Sequence, residues 1–144
     1  METGALSLPA LKMLKVNVEG LELQVLEGAR QTIGKFRPVL YVENDRKTLS
    51  EDLITLISEL GYDMWWHLPE LYNPNNFAQN KVNVFAGIVS VNLLCFPTEA
   101  GENVSELRRV AGPKDWWQDQ PLKEARGQGR RSPMNLATRS ARVT

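Results

Sequence analysis

Asn17, Glu19, Glu43 and His67 are the side chains in this 144-residue sequence whose positions suit a catalytic site, and three of them are of a type that suits proton chemistry. Glu19 and Glu43 are carboxylates, and His67 is the only histidine. Either kind of group can take a proton from a hydroxyl held beside it. Asn17 can only hydrogen-bond, because an amide neither takes a proton nor offers an anionic oxygen. Each of these residues also has a plainer use. Glu19, beside Gly20, suits the positive end of a following helix, as does Glu22; Glu43 can pair with Arg46 or Lys15; a histidine after two tryptophans can simply be packed and hydrogen-bonded. A second group, Asn73, Asn75, Asn76 and Trp66, could hydrogen-bond and stack on a sugar or polyol. Asn-Pro-Asn-Asn is equally ordinary turn chemistry, and at least one of Trp65 and Trp66 should pack in the core, since neighbours on a strand face opposite sides.

The elements that must position these groups can be read from hydropathy. Residues 11–18 read as a strand, although Lys12 and Lys15 leave neither of its faces apolar throughout. Leu23, Val25, Leu26, Ala29 and Ile33 then recur at roughly helical spacing. Gly28 lies near the middle of this helix, at a cost of about 1 kcal/mol relative to Ala, which close approach to a sheet would justify. Gly34 suits its C-cap. Pro38 stops the helix, and residues 39–43 read as a second, buried strand. A right-handed crossover makes the two strands parallel and brings their carboxyl ends to one edge, where ligands bind in open α/β sheets. Thr48-Leu49-Ser50-Glu51 spells a capping box before a helix with Leu53, Ile54, Leu56, Ile57 and Leu60 on its apolar side, ended by Gly61. Residues 62–68 read as a third strand, 69–81 as a loop, and 90–96 as a further strand stopped by Pro97.

Composition narrows the classes. The length fits one domain. Formal net charge is zero but uneven: residues 1–100 hold 8 Lys+Arg against 12 Asp+Glu, and residues 101–144 hold 9 against 5. This predicts an acidic body over 1–98 and a basic, disordered tail over 99–144. No aromatic interleaving in the tail supports nucleic-acid binding. The single Cys95 excludes an internal disulfide and a cysteine zinc cluster, and its apolar surroundings suit a buried, inert thiol. No metal site is expected. No run reaches the roughly 18 apolar residues of a membrane span, and the N-terminus has no signal-peptide pattern, so the default location is the cytoplasm.

Lys15-Val16-Asn17-Val18-Glu19-Gly20-Leu21-Glu22, Val25-Leu26-Glu27-Gly28-Ala29 and Arg37-Pro38-Val39-Leu40-Tyr41-Val42-Glu43 together resemble the FkbM family of S-adenosylmethionine-dependent methyltransferases, which act mostly on hydroxyl groups. The family pattern is roughly K-x-D-V-E-G-x-E, V-L-x-G-A and P-x-L-x-x-E. The resemblance runs over residues 10–98, and Asn17 departs from it where the family has Asp. It implies a Rossmann-like fold, with S-adenosylmethionine as cofactor and a small-molecule hydroxyl acceptor such as a sugar or secondary metabolite. The four strands would match the last four of the family's seven-stranded sheet, three parallel and a final one antiparallel. The Gly-rich turn and ribose-binding acid of the earlier half have no counterpart here. The expectation is therefore a C-terminal half-domain, completed by an N-terminal half or a homodimer partner. The alternative is a non-catalytic remnant or interaction module that pairs through its exposed sheet edge.

Overall fold

A computed structural model describes residues 9–119. Its elements are β1 (Met13–Val16), α1 (Glu22–Gly28), α2 (Arg30–Phe36), β2 (Val39–Glu43), α3 (Lys47–Glu59), β3 (Tyr62–His67), β4 (Asn92–Pro97) and β5 (Arg108–Arg109). They form one five-stranded sheet in the order β1-β2-β4-β3-β5. β1 pairs with β2 in parallel, whereas β4 runs antiparallel to both β2 and β3. β1, β2 and β3 therefore point the same way, with β4 inserted between the second and third. The α/β class expected from the sequence holds. Among the described residues, however, only β1 and β2 are parallel neighbours, and β5, antiparallel to β3, adds a strand that was not expected.

Strand alternation divides the sheet into two unlike faces. Val16, Leu40, Val42, Met64, Trp66, Leu93 and Cys95 point into one core with Leu26, Ile33, Leu53, Ile54 and Ile57 of the helices. Two right-handed crossovers that progress in one direction put their helices on the same side, and α1 packs against α3 there. The opposite face carries the alternate residues. Lys15, Tyr41, Leu94, Trp65 and Arg109 lie in one transverse row across it.

Several local expectations give way to tertiary contacts. The helix predicted after β1 divides at Ala29, whose N–H is shared by the Val25 and Leu26 carbonyls at 3.0 and 3.1 Å. Gly28 is exposed, and a Cβ built there meets nothing within 4 Å, so it does not serve close approach to the sheet. Gly34 lies inside α2. The cap is Arg37, held in the left-handed region at φ 48°. The Arg37 guanidinium explains that conformation: it donates to the Leu60 and Gly61 carbonyls at 2.7 and 2.9 Å and forks onto Glu99. This fork holds the Glu99 carboxyl down to about 2. The capping box does not form. Arg46 is the N-cap of α3 without a side-chain cap, while Ser50 is buried and accepts from the Asn44 amide at 2.9 Å. Gly61 does end α3 as expected, at φ 78°.

The domain boundary expected at residue 98 also moves. Arg108 and Arg109 pair with Trp66 and Trp65, and Trp116 is buried edge-on against Trp66 at 5.9 Å. Asp115 accepts from Arg108 at 2.9 Å, from Ala111 N–H at 3.0 Å and from the Trp66 indole at 3.2 Å. Burial opposes ionisation of Asp115, but these donors together hold its carboxyl below the usual range. One buried ion pair thus ties the segment after β4 to the sheet, a link that hydropathy cannot show. The part of the expected tail beyond residue 119 lies outside the described residues.

Candidate active site at the carboxyl end of the sheet

The chain leaves β1 through a turn in which Glu19 and Gly20 both have positive φ, 55° and 97°. Glu22 holds this turn. Its buried carboxylate accepts the N–H of Val18 at 2.9 Å and that of Gly20 at 3.0 Å. Burial pushes the Glu22 carboxyl up, but these N–H groups and nearby Arg46 hold it below its ordinary value. The Arg46 guanidinium lies over Gly20, where an added Cβ would come within 2.9 Å of it. Glycine therefore answers both the backbone angle and the close approach of Arg46. Glu19 points outward and is exposed, 3.4 Å from Arg46.

The turn places Asn17 beside the end of β2, where its Nδ2 donates to Glu43 Oε1 at 3.1 Å. Glu43 is opposite Asn92 of β4, and Asn92 is opposite His67 of β3. Asn17, Glu43, Asn92 and His67 thus form a polar row across the carboxyl ends of β1, β2 and β3, on the face away from the helical core. Tyr41, two residues before Glu43 and on the same face, reaches diagonally to His67, with its hydroxyl 2.9 Å from Nδ1 and the rings edge-on at 5.7 Å. Asn92 is buried and its amide donates to Ser90 Oγ at 2.9 Å. Partial burial raises the Glu43 carboxyl above its usual value, with Asp45, Glu19 and Glu22 adding to the rise and Arg46 opposing it. Burial likewise raises Tyr41, which stays a protonated phenol at neutral pH.

The structure brings together Asn17, Glu43 and His67, with Glu19 one turn away at the rim. The other proposed residues fall elsewhere. Trp66 is buried at 2% exposure on the helical side, with its indole donating to Asp115, so it offers no face to a sugar. Trp65, on the other face, is also buried, against Phe96. Asn73, Asn75 and Asn76 lie in the loop between β3 and β4 and serve its turns: Asn73 Oδ1 accepts from Asn75 N–H at 2.9 Å, and Asn76 donates to the Asn73 and Asn80 carbonyls at 3.0 and 2.8 Å. Cys95 is fully buried and its thiol is pushed well up, as an inert thiol should be. Tyr41 and Asn92 were missed. Tyr41 shares strand parity with Glu43, and Asn92 is the polar residue of an apolar strand. Those two signals were available, but only the register joins them.

Clefts of about 530 Å³ beside Met64 and Arg109, and about 520 Å³ beside Lys12 and Phe36, contain none of the polar row. The row has the complementary chemistry instead: a carboxylate with a raised affinity for protons, an imidazole and two amides at strand ends. Among the described residues no group of three or more His, Cys, Asp or Glu could hold a metal ion, and no helix is long and apolar enough to cross a membrane.

Residues 6–64 match the Methyltransferase FkbM domain family. That span runs from before β1 into β3 and contains Asn17, Glu19, Tyr41 and Glu43. It bears out the resemblance read from the sequence over this part of the chain. The chain matches no curated protein and no solved structure.

Proposed function

We propose that the described residues form the acceptor side of an S-adenosylmethionine-dependent methyltransferase of Rossmann-like architecture, which methylates a hydroxyl on a sugar or secondary metabolite. The observation that carries this reading is the polar row at the carboxyl ends of three co-directional strands, two of them wholly within the matched methyltransferase span. A hydroxyl above Asn92 would lie between Glu43 and His67. Glu43, partly desolvated, takes the hydroxyl proton. Asn17 holds one Glu43 oxygen and leaves the other free to do so. Glu22 and Arg46 keep the turn carrying Asn17 and Glu19 in place. The loop that carries Asn73, Asn75 and Asn76 joins two members of the row, His67 and Asn92.

S-adenosylmethionine would supply an electrophilic methyl group. The described residues fit the acceptor and not the cofactor's adenosine, since no glycine-rich turn follows any described strand. We assign the cofactor's grip to an N-terminal half-domain or to a second copy. The outer edge of β1 suits such a partner. It has no strand beside it among the described residues, and Met13, Leu21 and Val25 near it are exposed. The same edge would serve a non-catalytic pairing module, which is the second reading.

The test is calorimetric titration of the folded chain with S-adenosylmethionine, alone and with the N-terminal half of a related methyltransferase. Binding only in the mixture is expected. Binding by the chain alone would move the cofactor onto the described residues, and binding by neither would favour the pairing module.

A further inference from the structure

We propose that Tyr41 is a positioning residue that fixes His67 as a hydrogen-bond donor through Nε2, which leaves Glu43 as the only proton acceptor in the row. This deepens the reading of the site given above and rests on it for the meaning of the two roles, although its geometry stands independently.

The argument begins with the phenol. Tyr41 is half-buried on the sheet face that carries the row, and the neighbour of its hydroxyl among the described residues is His67 Nδ1 at 2.9 Å. The hydroxyl keeps its proton at neutral pH because burial disfavours the phenolate. A half-buried O–H donates to an acceptor within reach, since an unmade bond leaves the group without compensation for lost water. A phenol is also the better donor and a neutral imidazole nitrogen the better acceptor of the two. Nδ1 therefore accepts, and the ring proton of neutral His67 resides on Nε2. In that tautomer Nε2 has no free lone pair. It can hold an acceptor oxygen but cannot take its proton.

The other end of the row is complementary. Among the described residues Glu43 receives one hydrogen bond, from Asn17 at 3.1 Å, which leaves its second carboxylate oxygen available there. Glu43 and His67 flank Asn92 in the register, so a hydroxyl between them meets a donor on one side and a carboxylate on the other. Proton transfer is then from the hydroxyl to Glu43, with the oxygen's lone pair held toward Nε2–H. The sequence left Glu19, Glu43 and His67 as candidates for the base. Tyr41 separates the roles of Glu43 and His67.

His67 is the only histidine, so its ring nitrogens give a single, assignable pair of ¹⁵N resonances in the full chain. The experiment is long-range ¹H–¹⁵N correlation on the neutral ring for the wild type, Tyr41→Phe and Tyr72→Phe. The wild type should show the Nε2–H tautomer, with Nδ1 shifted upfield by its hydrogen bond. Tyr41→Phe, which keeps the ring and removes only the hydroxyl, should move Nδ1 downfield toward the unbonded position. Tyr72→Phe removes a hydroxyl that donates within the loop to the Asn80 carbonyl, and should leave both nitrogens unchanged. An Nδ1–H tautomer in the wild type, an unmoved Nδ1 in Tyr41→Phe, or an equal shift in Tyr72→Phe would overturn the assignment. The readout needs no cofactor or acceptor, so its failure is distinct from failure of the methyltransferase reading.

Discussion

The two faces of this sheet are built by the same five residues of β2 to opposite ends. Leu40 and Val42 are fully buried beneath the helices, while Tyr41 and Glu43 stand half-exposed on the other side with Asn17, Asn92 and His67. The helical face is given to packing, with the Arg108–Asp115 bridge buried beneath Trp66 and Trp116. On the open face a carboxylate is partly desolvated among other acids. Packing is concentrated on one side and the titratable and amide groups of the polar row on the other, and alternation along a strand is enough to separate them.

The sharpest way to break this comparison is to remove Asp115. Its loss leaves Arg108, only 11% exposed, without its anion, and Asp115→Ala should destabilise the fold by about 3–5 kcal/mol in denaturant unfolding. Acid should reach the same place. The folded Asp115 carboxyl lies below its ordinary 3.8, so the stability it contributes is present above that value and is lost as pH falls through the lower folded value. Tryptophan fluorescence should report that loss through Trp66 and Trp116. Leu40→Ala comes next, at about 2–5 kcal/mol for a fully buried leucine. The neighbouring Tyr41→Phe should cost only about 0.5–1.5 kcal/mol, the worth of one hydrogen bond. Equal costs at these adjacent positions would erase the distinction between the faces. The smallest effect is a gain: Gly28→Ala, on the exposed side of α1 where a methyl meets nothing, should stabilise by about 1 kcal/mol in thermal unfolding.

Much of this organisation was legible from the sequence where a signal is local. β2 appears at its expected bounds because Pro38 and a continuous apolar run define it, and β3 and β4 lie within a residue or two of expectation. Asn17 and Glu43, which do meet in the structure, could be singled out because ligands bind at strand ends in open α/β sheets. What failed depended on partners distant in the chain. β5 is two arginines with no periodicity, and it becomes a strand through Trp65, Trp66 and Asp115. Arg37 replaces a glycine cap because carbonyls some two dozen residues later receive its guanidinium. Trp66 was assigned to a ligand because sequence alone does not say which of two adjacent tryptophans faces the helices. Tyr41 and Asn92 join the site only through cross-strand register.

The central claim is that Glu43 is kept as a carboxylate for chemistry and not for the fold. Thermal unfolding of the wild type and Glu43→Gln across pH tests it directly. The folded Glu43 carboxyl is raised above 4.5, so its contribution to stability is greatest below the ordinary carboxylate value and is lost as pH rises through the folded value. Glutamine keeps an oxygen for Asn17 and carries no charge. Glu43→Gln should therefore melt above the wild type at neutral pH, with the difference vanishing in acid. A variant that melts below the wild type at neutral pH would make Glu43 a structural anion and contradict the account.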